Sequence, residues 1–271
     1  MIYKGSLRKM TVTLEHPVEY RLQFGDSMLS LHDQLGQKLR LSWQQSIHCI
    51  HCGRKTSKSF SQGYCYPCFK SLAQCDICIV SPEKCHFDQG TCREPEWGKA
   101  HCMQDHYIYL SNTSGVKVGI TRHTQLPTRW IDQGAVQALA ILKVSSRYYS
   151  GLVESAFKAY LNDKTNWRNM LKNESVEQDL FEVFNRVWPQ VRERLDKTVL
   201  DDVEVIAELQ DECKIEYPAL SFPHKVSSFN LHKTALIEDT LIAIKGQYLI
   251  FEHGVINVRK YAGYDVSLEI L

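Results

Sequence analysis

Residues 49–68 read CIHCGRKTSKSFSQGYCYPC and contain two Cys-x-x-Cys pairs with twelve residues between them. Each pair turns two thiol groups toward one point, and the intervening loop brings the two pairs together. Four thiolates can then surround a zinc ion as a tetrahedron, each at about 2.3 Å from the metal. Such a shell has no open coordination position, so the ion would be structural. We therefore predict a structural zinc site formed by Cys49, Cys52, Cys65 and Cys68.

A second cysteine cluster follows in CDICIVSPEKCHFDQGTCREPEWGKAHC, residues 75–102, and it offers more ligands than one ion can use. An iron–sulfur cluster or free buried thiols would also account for so many cysteines. We expect a second zinc ion here, with His86 or Cys102 as substitutes for one member of the ligand set. That set consists of Cys75, Cys78, Cys85 and Cys92.

The distribution of the cysteines favours metal binding over disulfides. Nine of the ten cysteines lie in residues 49–102, and that segment has too few aliphatic side chains to form a core without metal. No run of about 18 apolar residues occurs in the chain. The first residues, MIYKGSLRKM, carry charges where a signal peptide would be apolar. We therefore expect a cytoplasmic protein whose paired cysteines bind metal.

The charges of the chain are unevenly distributed. Residues 115–172 contain nine Lys or Arg against three acidic residues, whereas residues 173–212 contain twelve acidic residues against four basic ones. A basic segment suits a polyanionic partner, although solvated helix faces produce similar runs. The acidic segment is predicted to form amphipathic helices broken or kinked at Pro189, and it offers a face for a protein partner.

The periodicity of apolar residues predicts an α+β protein of several domains. Apolar residues alternate as in strands at both ends of the chain. An antiparallel hairpin is predicted where NTSG joins the two strand-like runs HYIYLS and VKVGIT. Helical patterns begin near Pro127 and Tyr148. The predicted domains are a β unit at 1–46 that can pair with the C-terminal strands, a zinc-binding cysteine region at 47–102, a hairpin domain at 103–172, an acidic helical segment at 173–216 and a C-terminal β unit at 217–271.

The segment YIYLSNTSGVKVGITRHTQLPTRW, followed by Glu154 on a later helix, resembles the GIY-YIG nuclease family over about residues 107–170. In that family a hairpin supplies aromatic hydroxyls, a helix supplies an arginine and a later helix supplies a metal-binding glutamate. The tripeptide YIY at 107–109 stands at the first motif, and KVG at 117–119 stands at the second. The resemblance implies that the hairpin domain is a small GIY-YIG-like α/β domain.

The same resemblance implies roles for single residues. Tyr109 would act as the base or position the water, and Arg129 would stabilise the phosphoryl oxygens, with Arg122 as an alternative. Glu154 would hold Mg²⁺ or Mn²⁺. Lys117 stands where the family usually has a tyrosine; it can hold phosphate as a point charge but could act as a base only with a depressed pKa.

The whole chain also resembles an uncharacterised bacterial family that joins cysteine clusters to this hairpin. The resemblance is carried by GYCYPC (63–68), TCREPEWG (91–98), VGITR (118–122) and RWIDQGA (129–135). It names no activity.

These observations together predict a metal-dependent nuclease-like protein that acts on DNA or RNA. The segment 49–70 interleaves basic and aromatic side chains, which suits phosphate contacts combined with base stacking. The predicted nucleic-acid-binding residues are Arg54, Lys55, Lys58 and Arg122. The alternative is a noncatalytic, zinc-containing nucleic-acid-binding or adaptor protein, and the lysine at position 117 favours it.

Overall fold

A computed structural model of the chain describes residues 1–162 and 164–271. The described residues form an α+β protein, as the sequence predicts. Their strands are β1 (Ile2–Ser6), β2 (Thr11–Thr13), β3 (Glu19–Phe24), β4 (Ser27–Ser30), β5 (Lys38–Ile47), β6 (His106–Asn112), β7 (Val116–Arg122), β8 (Gln137–Val144), β9 (Glu204–Val205), β10 (Cys213–Lys214), β11 (Leu236–Lys245), β12 (Tyr248–Phe251), β13 (Val255–Asn257) and β14 (Tyr264–Ile270).

The α-helices are short, and only two of them exceed ten residues. They are α1 (Tyr66–Ser71), α2 (Pro95–His101), α3 (Thr128–Asp132), α4 (Arg147–Phe157), α5 (Trp167–Leu171), α6 (Leu180–Arg192) and α7 (Lys197–Leu200). No helix in the described part of the chain is long and apolar enough to cross a membrane.

The chain divides into two compact units. Unit 1 comprises residues 1–70, 171–173 and 215–271, and unit 2 comprises residues 71–170 and 174–214. The ribbon, residues 49–68 with the first four cysteines, therefore belongs to unit 1, while the second cysteine cluster belongs to the same unit as the hairpin of β6 and β7.

Unit 1 is built on an antiparallel six-stranded sheet in the order β1-β14-β5-β11-β12-β13. The two ends of the chain meet in this sheet, since Ile2 pairs with Glu269 and Ser6 with Asp265. Along β5 the side chains of Leu39 and Leu41 are buried, as strand alternation requires. Strands β2, β3 and β4 form a separate three-stranded sheet.

Unit 2 is built on a sheet in the order β10-β8-β6-β7, with β9 paired to β8. In the β6–β7 turn, the Gly115 N–H donates to Asn112 Oδ1 at 3.2 Å, and Gly115 has a φ of +135° that favours glycine. Apolar residues of β6, β7 and β8 pack with those of helices α4 and α6. This core contains Ile108, Leu110, Val118, Ile120, Ile141, Val153, Phe157, Val183, Phe184 and Val187.

Helix α6 is not broken at Pro189, where the sequence predicts a break or a kink. Helix α6 begins after Asp179, whose carboxylate accepts from the Glu182 N–H at 2.8 Å, and it continues through Pro189. Proline at this position removes one backbone hydrogen bond, but the helix buries apolar side chains on both sides of it, such as Val187 and Val191. Tertiary packing therefore outweighs the local cost. Residues 173–179, included in the predicted helical run, are not helical.

Lys245, at the end of β11, is a fully buried charged side chain in unit 1. Its Nζ donates to Asn173 Oδ1 at 2.6 Å and lies 5.0 Å and 5.8 Å from the ring centroids of Tyr217 and Phe222. Because burial disfavours the ammonium form, the pKa of Lys245 falls to about 7.

The substitution Lys245→Met is expected to raise the free energy of unfolding, and most strongly at pH 7 and below. An unfolded lysine has a pKa of about 10.4, so between that pH and about 7 the unfolded chain binds a proton that the folded chain does not. Wild type therefore loses stability as the pH falls, and the advantage of the variant grows to a few kcal/mol, up to about 4. Urea denaturation of zinc-loaded protein from pH 6 to 9.5 measures this difference.

The exposed Lys233 provides the control, because Lys233→Met should show no comparable pH-dependent gain. A gain for Lys245→Met that is the same at every pH would show that the buried ammonium is not its source.

Candidate functional site

The four ribbon cysteines lie together in unit 1. The Sγ atoms of Cys49, Cys52, Cys65 and Cys68 are all within 4.8 Å of one another, and those of Cys52 and Cys65 are 3.7 Å apart. Four sulfurs on a tetrahedron of 2.3 Å zinc–sulfur bonds would be about 3.8 Å apart. The cluster therefore has the dimensions of a structural zinc site.

Backbone turns of the ribbon aim these sulfurs inward. After the first pair, the Gly53 N–H donates to the Cys49 carbonyl at 3.0 Å, and Gly53 has a φ of +71° that suits glycine. The second pair is held by the start of α1, where the Phe69 N–H donates to the Cys65 carbonyl at 2.9 Å. The short Cys-x-x-Cys spacing thus encodes its own local geometry.

The pKa shifts of two ribbon thiols favour a cation bound among the four. Burial raises the pKa of Cys49, but backbone N–H groups of Cys52, Cys65 and His51 outweigh it and lower that pKa to about 6. The pKa of Cys68 is raised, first by burial and then by hydrogen bonds with the other three cysteines. Four sulfurs this close cannot all ionise without a positive charge among them, and a zinc ion supplies that charge.

The outer surface of the ribbon carries aromatic and basic side chains side by side. The rings of Phe60 and Phe69 stack with centroids 5.6 Å apart, and Tyr66, more than half exposed, lies 5.5 Å from Phe60. Lys58 Nζ is 5.2 Å above the Phe60 ring. Arg54 and Lys55 are exposed on the same segment.

In unit 2 the strand register orders the residues singled out in the hairpin. Tyr109 pairs with Gly119, and Ser111 pairs with Lys117. Because side chains alternate along strands, Tyr109 and Lys117 lie on the same face of the sheet. Both side chains are buried.

Tyr109 fits tightly against Gly119, whose missing side chain makes the fit possible. A Cβ at position 119 would lie 2.6 Å from the Tyr109 hydroxyl. That hydroxyl donates to Gln133 Oε1 at 3.0 Å, and the Trp130 ring meets the tyrosine edge-on with centroids 6.1 Å apart. Gly119 is therefore required for close approach within the hairpin.

Arg129 and Glu154 both act electrostatically on the Tyr109 hydroxyl. Burial raises the pKa of Tyr109 above its ordinary value, the charge and hydrogen bond of Arg129 oppose this rise, and the Glu154 carboxylate adds to it. The hydroxyl therefore stays protonated at neutral pH.

Glu154 itself lies on α4 and is mostly buried, with its side chain 14% exposed. Its Oε2 accepts from Lys158 Nζ at 3.1 Å, one helical turn further on.

The backbone of Lys117 forms a bridge with Asn162, whose carbonyl accepts from the Val118 N–H at 3.1 Å.

Two further polar residues lie near the residues singled out in unit 2, and the sequence analysis did not identify them. They are Gln133, which contacts Tyr109, and Arg147, whose pKa the charges of Arg122 and Arg129 influence. Gln133 lies within RWIDQGA, so the signal was present as a polar residue one turn after Arg129. Arg147 opens α4, where its guanidinium donates to the Ile79 carbonyl at 2.6 Å. Burial lowers the pKa of Arg147, the charges of Cys102 and Cys78 oppose this fall, and the charges of Arg129 and Arg122 add to it.

The second cysteine cluster does not gather in the expected ligand set. Among residues 1–162 and 164–271, the group of ligand atoms within 4.8 Å in this segment is Asp76, Cys78 and His86. Burial raises the pKa of Cys78 to about 11, and the charges of Asp76, Cys85 and Cys102 add to the rise. Cys75 ends a 3₁₀ turn, Ala73–Cys75, and Cys92 Sγ packs against Gly98, 3.0 Å from where a Cβ would stand.

The fold and these clusters define a class of protein in which a zinc-compatible Cys₄ ribbon and an antiparallel hairpin unit occur in one chain. The family model described as a protein of unknown function, DUF2797, matches residues 36–266. The chain belongs to this family, which confirms the resemblance to an uncharacterised family. No curated protein and no solved structure matches the chain.

Replacing one ribbon ligand, as in Cys65→Ser, is expected to lower the bound zinc by one ion per chain and to lower the melting temperature. Three sulfurs hold structural zinc far less tightly than four, and the ribbon has little apolar core to replace it. Native mass spectrometry and thermal unfolding measure both effects. The control is Cys213→Ser, outside both clusters, which should retain the full zinc content; equal zinc loss in the two variants would contradict the assignment.

Proposed function

We propose that the chain is a metal-dependent phosphodiesterase of the nuclease type that acts on DNA or RNA in the cytoplasm. The observation that supports the proposal is that a cation and a carboxylate from two other elements both influence the Tyr109 hydroxyl. Tyr109 comes from β6, Arg129 from α3 and Glu154 from α4, and both charged groups act on the tyrosine hydroxyl. A cation and a carboxylate held at one place are what hydrolysis of a phosphodiester needs.

The order of the elements supports the same proposal. A hairpin is followed by a helix with Arg129, a strand, and a helix with Glu154. This is the order that the resemblance to the GIY-YIG family implies. This support comes from the order of the elements alone, because the family model that matches the chain names no activity.

The arginines would bind the substrate. Arg129 and Arg122 would hold phosphoryl oxygens and stabilise the charge that develops on them. The charges of both arginines add to the lowering of the Arg147 pKa that burial begins, as expected where positive charges act on one another.

Glu154 would hold Mg²⁺ or Mn²⁺, which would neutralise phosphate charge and lower the pKa of a bound water. One carboxylate is sufficient when phosphate oxygens and waters fill the other positions. The present partner of the carboxylate is Lys158, whose side chain is 34% exposed. A pair that reaches solvent in this way is weak, so a divalent ion could replace it.

Tyr109 would position other groups and would not act as the base. Its raised pKa keeps the proton on the hydroxyl, which donates to Gln133 and lies within reach of Arg129. Its part would be to hold the guanidinium of Arg129 in place. The base role considered from the sequence is therefore not part of the proposal.

The ribbon would bind the nucleic acid. Lys58, Phe60 and Tyr66 present a cation and two rings on one surface, which allows phosphate contact and base stacking together. Arg54 and Lys55 would add phosphate contacts.

A noncatalytic nucleic-acid-binding protein is the second candidate, and specific observations favour it. Tyr109 and Lys117 are both buried, and the Glu154 carboxylate is paired with Lys158. A protein that retained the hairpin only as a platform would have these features too.

The substitution Glu154→Gln is expected to lower the cleavage rate by at least about 100-fold, because it removes the carboxylate charge that holds the divalent ion. Labelled single- and double-stranded DNA and RNA are incubated with wild type or variant in Mg²⁺ or Mn²⁺, at matched zinc content. Glu208→Gln, on an exposed turn, is the control with the same chemical change. Salt-sensitive binding without cleavage by any of the proteins would establish the noncatalytic candidate instead.

Neutralising the ribbon cations is expected to weaken binding and its salt dependence. In the triple variant Arg54→Ala/Lys55→Ala/Lys58→Ala, the slope of log K against log salt should fall by about 2 for a single strand, since each lost phosphate contact contributes about 0.7. Fluorescence anisotropy over a salt series measures the slope. An unchanged slope would mean that this surface does not touch the phosphates.

A further inference from the structure

A second group of metal-ligating side chains lies in the cysteine loop of unit 2, outside the ribbon and the hairpin. The ligand atoms of Asp76, Cys78 and His86 are all within 4.8 Å of one another. Asp76 is buried, and the His86 side chain is 23% exposed. The group combines an oxygen, a sulfur and a nitrogen donor, which is not the all-cysteine set that the spacing suggests.

Hydrogen bonds around His86 orient its ring toward this group. Thr91 Oγ1 donates to the His86 carbonyl at 3.3 Å and lies 2.8 Å from His86 Nδ1. With the hydroxyl proton on the carbonyl, we assign the ring proton to Nδ1, which then donates to the Thr91 oxygen. The lone pair of Nε2 is then left to face inward, the arrangement by which metal-binding histidines are usually held.

Asp76 presents one oxygen to this nitrogen. Its Oδ1 accepts from the Ile77 N–H at 2.6 Å, whereas Oδ2 accepts from Arg93 Nε at 2.7 Å and lies 3.5 Å from His86 Nε2. That last separation is too long for a hydrogen bond, and Arg93 already balances the carboxylate. An oxygen and a nitrogen lone pair face each other across a gap that a cation would bridge.

We propose that Asp76 Oδ2, Cys78 Sγ and His86 Nε2 bind a zinc ion, with the fourth coordination position open to water or to a small ligand. Zinc accepts this mixed donor set, and three protein ligands with one exchangeable position differ chemically from the closed ribbon site. The proposal does not depend on nuclease activity.

The metal-binding loop is fastened to the beginning of α4. The Arg147 N–H donates to the Cys102 carbonyl at 2.8 Å, and its guanidinium reaches the carbonyls of Cys78 and Ile79. Further along the helix, Gly151 touches the loop so closely that a Cβ there would lie 2.5 Å from the Glu83 backbone nitrogen. The ion would therefore also steady the helix that carries Glu154.

The test compares zinc content in wild type, His86→Asn and His224→Ala. Asparagine can retain the contact with Thr91 but lacks Nε2, and His224 is an exposed histidine outside both clusters. Native mass spectrometry is expected to find two zinc ions in wild type and in His224→Ala but one in His86→Asn, with the affinity of the lost site reduced at least about 100-fold. Circular dichroism checks that the variants are equally folded.

Two results would overturn the proposal. One is a single zinc ion in wild type. The other is full zinc content in His86→Asn together with loss of one ion in Cys85→Ser and in Cys92→Ser, which would establish the all-cysteine set.

Two measurements add independent readouts. In cobalt-substituted wild type, added imidazole should change the visible spectrum, because only the three-ligand site has an exchangeable position; an unchanged spectrum would contradict the open site. In His86→Asn, amide hydrogen exchange should accelerate at the start of α4 while α6 is unaffected. Unchanged exchange in α4 would rule out the coupling to that helix.

Discussion

The packing of four cysteine sulfurs within 4.8 Å of one another is the constraint on which the ribbon depends. Such a group is unfavourable without a cation, since burial and mutual contacts raise the pKa of Cys68 while backbone N–H groups, acting against burial, lower that of Cys49. A zinc ion would resolve the conflict and would replace the apolar core that this segment lacks. The same segment carries the aromatic and basic surface on which Lys58 lies over Phe60.

In unit 2, the packing of Tyr109 depends on Gly119 having no side chain. The Tyr109 hydroxyl occupies the space that a Cβ would fill, and it is buried there beside Gln133. Burial raises the pKa of the hydroxyl, so the hydroxyl stays protonated at neutral pH. Under the proposed function, Tyr109 is therefore a positioning group and not the base.

In unit 2, the second cysteine cluster is connected to helix α4. Its loop is tied to α4 through the Arg147 guanidinium and through the close contact at Gly151. Cys102 and Cys78 in turn raise the pKa of Arg147, against the larger lowering by burial. The loop is therefore linked to the start of the helix that carries Glu154 both by contact and by electrostatics.

The sequence by itself determined the features that rest on local geometry. Two Cys-x-x-Cys pairs encode the Cys₄ group, and alternating apolar residues around NTSG encode the hairpin, because these contacts lie within a few residues of one another. Only the tertiary structure decided the rest. It continued α6 through Pro189, buried Lys245, and brought Asp76, which the sequence did not single out, beside Cys78 and His86. These outcomes depend on packing between distant segments, where burial and long-range contacts outweigh spacing along the chain.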